Sequence, residues 1–304
     1  MIQNLFQIYP ELQNVRFRIL TEETTTLESK TIYQINTSRQ GYGKRLGYEV
    51  DKPKIESILK KFKNHEQVPF ITTLDYESDN TINIPPGFLC CQRIKKEANY
   101  YIQYNKNIEY YGNLFWRGDK TTHKVREIVE NFKKCIDFDI GHWTPASGRF
   151  YADNACTQHE YDIYFNRLKQ SDAFLVMRGD RPWTNSFFDC LRANTIPVCI
   201  DTFYHKLGWH KIGFDINDMF LNFDSKKDGL EKIENEIQNL LKDKERVLSI
   251  KNNLLKFFTQ VIMKDEYLLT QGASEFGTGW GNTIKSKLLE IHNNNYTLKE
   301  NYLF

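Results

Sequence analysis

With 40% hydrophobic and 26% charged residues over 304 positions, the chain has material for one large core or two ordinary ones, and two domains are the prior at this length. Its 41 basic and 39 acidic side chains leave a net charge of +2, so no global field draws in nucleic acid and any anion site has to be local. No stretch approaches 18 apolar residues, and the opening MIQNLFQIYPELQ has neither a basic nor a long apolar region, so a soluble, cytoplasmic protein without a transmembrane segment is expected.

Residues 1–110 hold short strand-like runs at Val15 to Leu20, Thr31 to Ile35, Val68 to Leu74 and Phe88 to Ile94. A lysine-rich helical pattern, Lys54 to Asn64, lies between the second and third, and the segment is expected to form a small α/β domain. The loop Arg39 to Gly47 is rich in glycine, but its spacing misses the dinucleotide fingerprint by one, so it reads as a basic loop.

A regular alternation then begins. Asn113 to Trp116, Ile136 to Ile140, Ala173 to Met177, Ile196 to Ile200 and Met219 to Phe223 read as strands. Thr122 to Lys133, Glu160 to Gln170, Thr184 to Ala193, Gly229 to Lys242 and Glu245 to Lys264 read as helices. Such order predicts a second, doubly wound parallel sheet over 111–275. A glycine-rich break, Gly272 to Gly281, precedes a last helix near Thr283 to Asn293, placed in a C-terminal segment 276–304 that is free to pack on a different body. Six cysteines lie at 90, 91, 135, 156, 190 and 199 without the spacing of a zinc or redox motif, and Cys190 and Cys199 sit inside apolar runs as small hydrophobes.

The chemistry concentrates in SDAFLVMRGDRPWTNSFFDCLRANTIPVCID, Ser171 to Asp201, a strand, turn, helix and strand. The ending of its first strand, LVMRGD, echoes LFWRGD at Leu114 to Asp119. Arg117 and Arg178 are therefore expected at the same edge of one parallel sheet, beside helix starts whose unpaired amides suit phosphate. Two guanidinium forks there would receive a diphosphate, aided by Thr184, Asn185 and Ser186; the alternative is a surface ion pair to Asp119 or Asp180. Asp189, flanked by Phe187, Phe188, Cys190 and Leu191, is costly to bury unpaired. A ribose diol would pair with it, and so would Arg192.

The run Phe174 to Asp201 resembles the signature segment of exostosin-type glycosyltransferases: a strand, an Arg-Gly-Asp-like turn, a Ser/Thr-rich helix start, an acid, and an Ile-Pro-Val strand. LFWRGD with Arg126 on the next helix resembles that family's earlier aromatic run and arginine, and Tyr161 to Asp172 falls where it has a tyrosine before a strand. The likeness covers roughly 113–224. Ser186 stands where the family usually has arginine, and Asn194-Thr195 where it has Gly-Cys.

The resemblance implies an α/β, GT-B architecture, with two Rossmann-like domains facing across a cleft and a C-terminal helix packing back toward the first. It implies inverting, metal-independent transfer of a sugar from a UDP-sugar donor to a hydroxyl of a glycan or glycoconjugate, with no cofactor beyond that co-substrate. Residues 1–110 would be the acceptor side and 111–275 the nucleotide-sugar side. Arg117, Arg126 and Arg178 would neutralise the diphosphate with the helix start Thr184, Asn185 and Ser186, and Asp189 would hold the ribose. An inverting transfer needs a base from the facing domain, and Asp75, just after the Val68 to Leu74 strand, is the candidate, with Glu77 as its understudy. Two alternatives stay open. One is a binding module without catalysis. The other is a metal-dependent transferase using Asp137 and Asp139, since Asp137-Phe138-Asp139 has the form of a metal-binding triplet.

Overall fold

The computed structural model describes residues 5–20, 24–35, 55–72, 76, 78–84, 104–118, 123–132, 139–141, 158–179, 184, 186–262 and 281–304. Two parallel sheets carry the chain. In the first, β1 (Phe17–Leu20), β2 (Ile32–Ile35), β3 (Phe70–Thr72) and β4 (Thr81–Asn83) lie side by side in chain order. The second contains β5 (Leu114–Arg117), β6 (Asp139–Gly141), β7 (Ala173–Met177), β8 (Ile196–Ile200) and β9 (Leu221–Phe223), in the order β6-β5-β7-β8-β9. The longer helices are α1 (Gln158–Lys169), α2 (Ser186–Ala193), α3 (Leu230–Lys242), α4 (Lys244–Phe257) and α5 (Gly281–Asn293).

Strand alternation gives the first sheet two buried faces. Tyr33, Ile35 and Phe70 cluster with Ile55, Leu59 and Phe62, whereas Ile32, Ile71 and Ile82 belong to a larger cluster that includes Leu5, Leu12 and, from α5, Ile284, Leu288 and Ile291. The last helix therefore covers a face of the first half. Polar ties reinforce it: the Arg16 amide donates to Tyr296 Oη at 2.9 Å, and Lys285 Nζ lies 3.4 Å from Glu11. The expected plan is met: two Rossmann-like α/β units, with the C-terminal helix packing back on the first.

β7 and β8 are buried along their whole length, as parallel strands covered on both faces must be. Pro197 sits inside β8 although proline cannot donate to a ladder. The Ile196 amide donates toward β7, to Asp172 O at 2.8 Å, so the missing donor of Pro197 falls on the β9 side. There the ladder begins only at Val198↔Leu221, and nothing is lost.

Most expected elements appear within two or three residues of their sequence positions. The segment expected as a helix over Thr122 to Lys133 is a 3-10 helix at Lys124–Asn131. Phe88 to Ile94 and the loop Arg39 to Gly47 lie outside the described residues. Helix α4 is started by Asp243, whose carboxylate accepts from the Arg246 amide at 2.9 Å. Asp243→Ala leaves that amide without its cap and is expected to cost about 1 kcal/mol, read as a lower urea midpoint at unchanged m-value.

Candidate functional site

Numbered within its own half, the second sheet runs 2-1-3-4-5, with the reversal between its first and third strands, β5 and β7. Connections leave those two strands toward opposite faces, and the crevice this opens at their carboxyl ends is where open parallel sheets bind ligands. Arg117 is the last residue of β5, and Arg178 follows the last residue of β7. The register Leu114↔Ala173 and Phe115↔Phe174 brings both arginines out at the same end of neighbouring strands.

Arg126 reaches the same rim from the 3-10 helix. Its Nε donates to Arg178 O at 3.0 Å and its Nη2 to Met177 O at 3.4 Å, so the guanidinium caps the end of β7. It also passes close to the residue after β5. A Cβ on Gly118 would come within 3.5 Å of Arg126 Nη1 and 3.0 Å of the Trp116 ring, so glycine leaves the space both need. The Arg178 amide in turn donates to Ile200 O at 3.0 Å, which ties the end of β7 to that of β8. Three arginines far apart in sequence thus stem from, or lie against, one rim.

The start of α2 is fixed beside it. Thr184 Oγ1 and Ser186 Oγ share a hydrogen bond, and the Thr184 backbone is clamped from both sides by Tyr204. The Thr184 amide donates to Tyr204 Oη at 2.9 Å, and that hydroxyl donates to Thr184 O at 2.7 Å. Tyr204 is held by stacking on Phe187, with ring centroids 3.7 Å apart and planes 7° from parallel. Asp189 lies deeper, 1% exposed. Its carboxylate accepts from Tyr164 Oη at 3.2 Å and lies 3.6 Å from Arg192 Nη1. Of the two partners expected for it, ribose diol and Arg192, the internal one is present and α2 is pinned to α1 through Tyr164.

Asp75, Glu77, Asn185 and Asp137 lie outside the described residues. Asp139 opens β6 in register with Phe115, two positions short of the rim that Arg117 marks. Cys190 and Cys199 are buried, and burial pushes both thiols up, so neither serves as a thiolate nucleophile. Among the described residues no group of three His, Cys, Asp or Glu is placed to hold a metal ion, and no helix is long and apolar enough to cross a membrane.

A cavity of about 1110 Å³ opens between the two halves. Thr81 and Asn83 of β4 and the preceding Ser78 and Asp79 form one wall. The segment 203–216 after β8 forms another, and residues 300–303 close the third side. A cleft between two facing domains is what the resemblance implied, but the segments that line it, 203–216 and 300–303, were not among the expected site residues.

The chain matches no protein-family model and none of the curated proteins. Among solved structures it is similar to TarM, with a TM-score of 0.41 and 10% identity, over 81% of this chain and 50% of that one. It is also similar to a point mutant of S. aureus TarM in complex with fondaparinux, α-GlcNAc-glycerol and UDP, with a TM-score of 0.38 and 12% identity over the same shares. The chain spans about half the length of these structures. What the site can do is read from its own residues.

The chemistry of those residues suits a compact polyanion. Guanidinium groups present paired donors that match phosphate oxygens, and a helix start adds amide donors and partial positive charge. The repeated Arg-Gly-Asp ending pointed to the strand ends at which Arg117 and Arg178 stand, the resemblance to Arg126, and the helical pattern to the start of α2. Sequence reasoning missed Tyr204 and Tyr164, which hold α2 in place. Both tyrosines lie in runs whose other aromatic residues are ordinary core, and nothing in the sequence sets them apart.

Proposed function

We propose that the chain is an inverting, metal-independent glycosyltransferase of exostosin-like type that moves a sugar from a UDP-sugar to a hydroxyl of a glycan or glycoconjugate. The observation that carries this is the gathering of Arg117, Arg126 and Arg178 at the switch point of a parallel sheet, beside a helix start bearing Thr184 and Ser186. In this reading Arg117 and Arg178 fork onto the diphosphate and offset the charge that grows on the leaving nucleotide. Arg126 holds the rim on which Arg178 stands and adds its charge to the field there. Thr184, Ser186 and their neighbour Asn185 bind the phosphate oxygens. Asp189 anchors α2 through Tyr164 and Arg192, and holding the ribose is the further role the resemblance gives it.

Asp75 takes the proton of the acceptor hydroxyl, with Glu77 in reserve. As that oxygen bonds to the anomeric carbon from one face, the bond to the phosphate oxygen breaks on the other and its electron pair leaves with UDP. The expected result is a thermal shift with UDP and UDP-sugars that exceeds those with GDP- or CMP-sugars, because a ligand that binds the native state alone stabilises it. Asp75→Asn is expected to keep the UDP shift and lose transfer. Wild-type transfer by that variant would move the base elsewhere, and no shift with any nucleotide would overturn the site. Full transfer in EDTA is expected; its loss would favour the metal-dependent reading through Asp137 and Asp139.

A further inference from the structure

The arginine rim and the start of α2 are separate pieces of backbone, and a tie between them runs through Tyr204. Arg178 is bound to the end of β8, where its amide donates to Ile200 O at 3.0 Å. Further along the segment that leaves β8, the Tyr204 hydroxyl meets both polar groups of the Thr184 backbone. It accepts from the amide at 2.9 Å and donates to the carbonyl at 2.7 Å. A phenol has one proton to give and lone pairs to accept with, and here the proton and one lone pair are used on the same residue. Two bonds to one residue fix it in rotation as well as in distance.

Tyr204 is itself held on every side. It is fully buried, its ring stacks on Phe187 and meets Phe188 edge-on at 6.2 Å, and its carbonyl accepts from Trp209 Nε1 at 2.6 Å. Burial pushes the phenol well above the ordinary tyrosine value, so the hydroxyl keeps the proton that Thr184 O receives. The side chains it positions need aiming. Thr184 Oγ1 and Ser186 Oγ are bonded to each other, so one of their two protons lies between them and one is left for a ligand. A single outward donor set wrong by about 1 Å can cost a reaction on the order of 10²-fold.

We infer that Tyr204 is a positioning residue for the proposed transfer: its hydroxyl sets the Thr184 and Ser186 hydroxyl pair in a fixed place relative to Arg178, as a diphosphate requires, without touching the ligand. The inference deepens the proposed function and rests on it for the identity of the anion. It adds a residue that supplies neither charge nor a ligand contact and acts only through Thr184. Because the clamp is made in the protein without nucleotide, the helix start does not have to be organised when the diphosphate arrives.

Tyr204→Phe tests this, since it deletes one oxygen and keeps the ring in its stack. Calorimetry is expected to show UDP bound at least ~10-fold more weakly, and NMR titration to show uridine, which has no phosphate, within about twofold of wild type. Transfer should lose kcat as well as gain KM for the UDP-sugar, because the diphosphate is held less well in the transition state too. A purely structural role would weaken UDP and uridine alike, and that result overturns the inference. Should the variant fail to fold, hydrogen exchange in the wild type decides. The Thr184 amide is expected to be protected in the nucleotide-free protein, and exchange there at the rate of an exposed amide would show that Tyr204 does not order the helix start. Equal UDP binding by wild type and Tyr204→Phe would overturn this inference alone, whereas a wild type that binds no UDP would overturn the donor site and the inference with it.

Discussion

Arg178→Ala is expected to lower transfer from a UDP-sugar by about 10²- to 10³-fold while the protein stays folded, the scale seen when one donor to developing charge is removed. The expectation of an intact fold comes from how residue 178 is held. Its amide donates to Ile200 O at 3.0 Å and its carbonyl accepts from Arg126 Nε at 3.0 Å. Both contacts are made by the backbone and survive the loss of the side chain, so alanine deletes the charge at the rim without releasing the end of β7. Arg126→Ala differs in kind. It removes the guanidinium that caps the Met177 and Arg178 carbonyls, so it is expected to lower both transfer and the melting temperature. Arg178→Lys should fall between alanine and wild type, because a point charge replaces a fork that grips two oxygens. Turnover numbers, the UDP thermal shift and far-ultraviolet dichroism on the three variants check the set. Wild-type turnover by Arg178→Ala would remove the arginine rim from the reaction.

Much of the second half was legible in the sequence because its strands are buried on both faces. A run such as Ala173 to Met177 or Ile196 to Ile200 is apolar throughout and bounded by turn residues, and both match β7 and β8 residue for residue. The repeated Arg-Gly-Asp ending marked the right strand ends. What local sequence does not encode is which strands become neighbours. The placement of β5 against β7, which brings two separate arginines out at one end of neighbouring strands, follows from the 2-1-3-4-5 order and is set by long-range packing. β4 escaped notice because three residues, Thr81 to Asn83, are too few to show a period. The lining of the cavity escaped for a related reason: its walls come from three parts of the chain that meet only when α5 folds back and carries residues 300–303 with it. Asp189 was legible as a residue that must have a partner, since Arg192 stands three positions on, at helical spacing.

Lys251 carries a signal of the same sort. It sits among Val247, Ile250 and Leu254 on the buried stripe of α4, where a lysine is out of pattern and so has to be paired. Its Nζ lies 2.7 Å from Asp172 Oδ1 and donates to Glu109 O at 2.6 Å, and the two side chains are 2% and 0% exposed. Asp172 also accepts from the amides of Tyr111, at 2.8 Å, and Gly112. The pair joins α4 to the start of β7 and to the segment leading into β5, at the end of the sheet opposite the arginine rim. Lys251→Met strands the Asp172 carboxylate in the interior and is expected to cost about 3 to 5 kcal/mol, the range for breaking a buried ion pair by removing one partner. Adding Asp172→Asn should recover much of that loss, because the amide oxygen still accepts from residues 111 and 112 while no charge is left buried. Burial holds the Lys251 ammonium below the ordinary lysine value of 10.5, against the pull of Asp172. Between that lowered value and 10.5 the unfolded chain keeps a proton that the native chain has released. The group therefore adds stability as pH rises through this window and loses it as pH falls back. Urea melts of wild type and Lys251→Met across that window are expected to differ in slope as well as in midpoint, with the rising component absent from the variant. Equal slopes would place the charge of Lys251 outside the balance that holds this end of the sheet together.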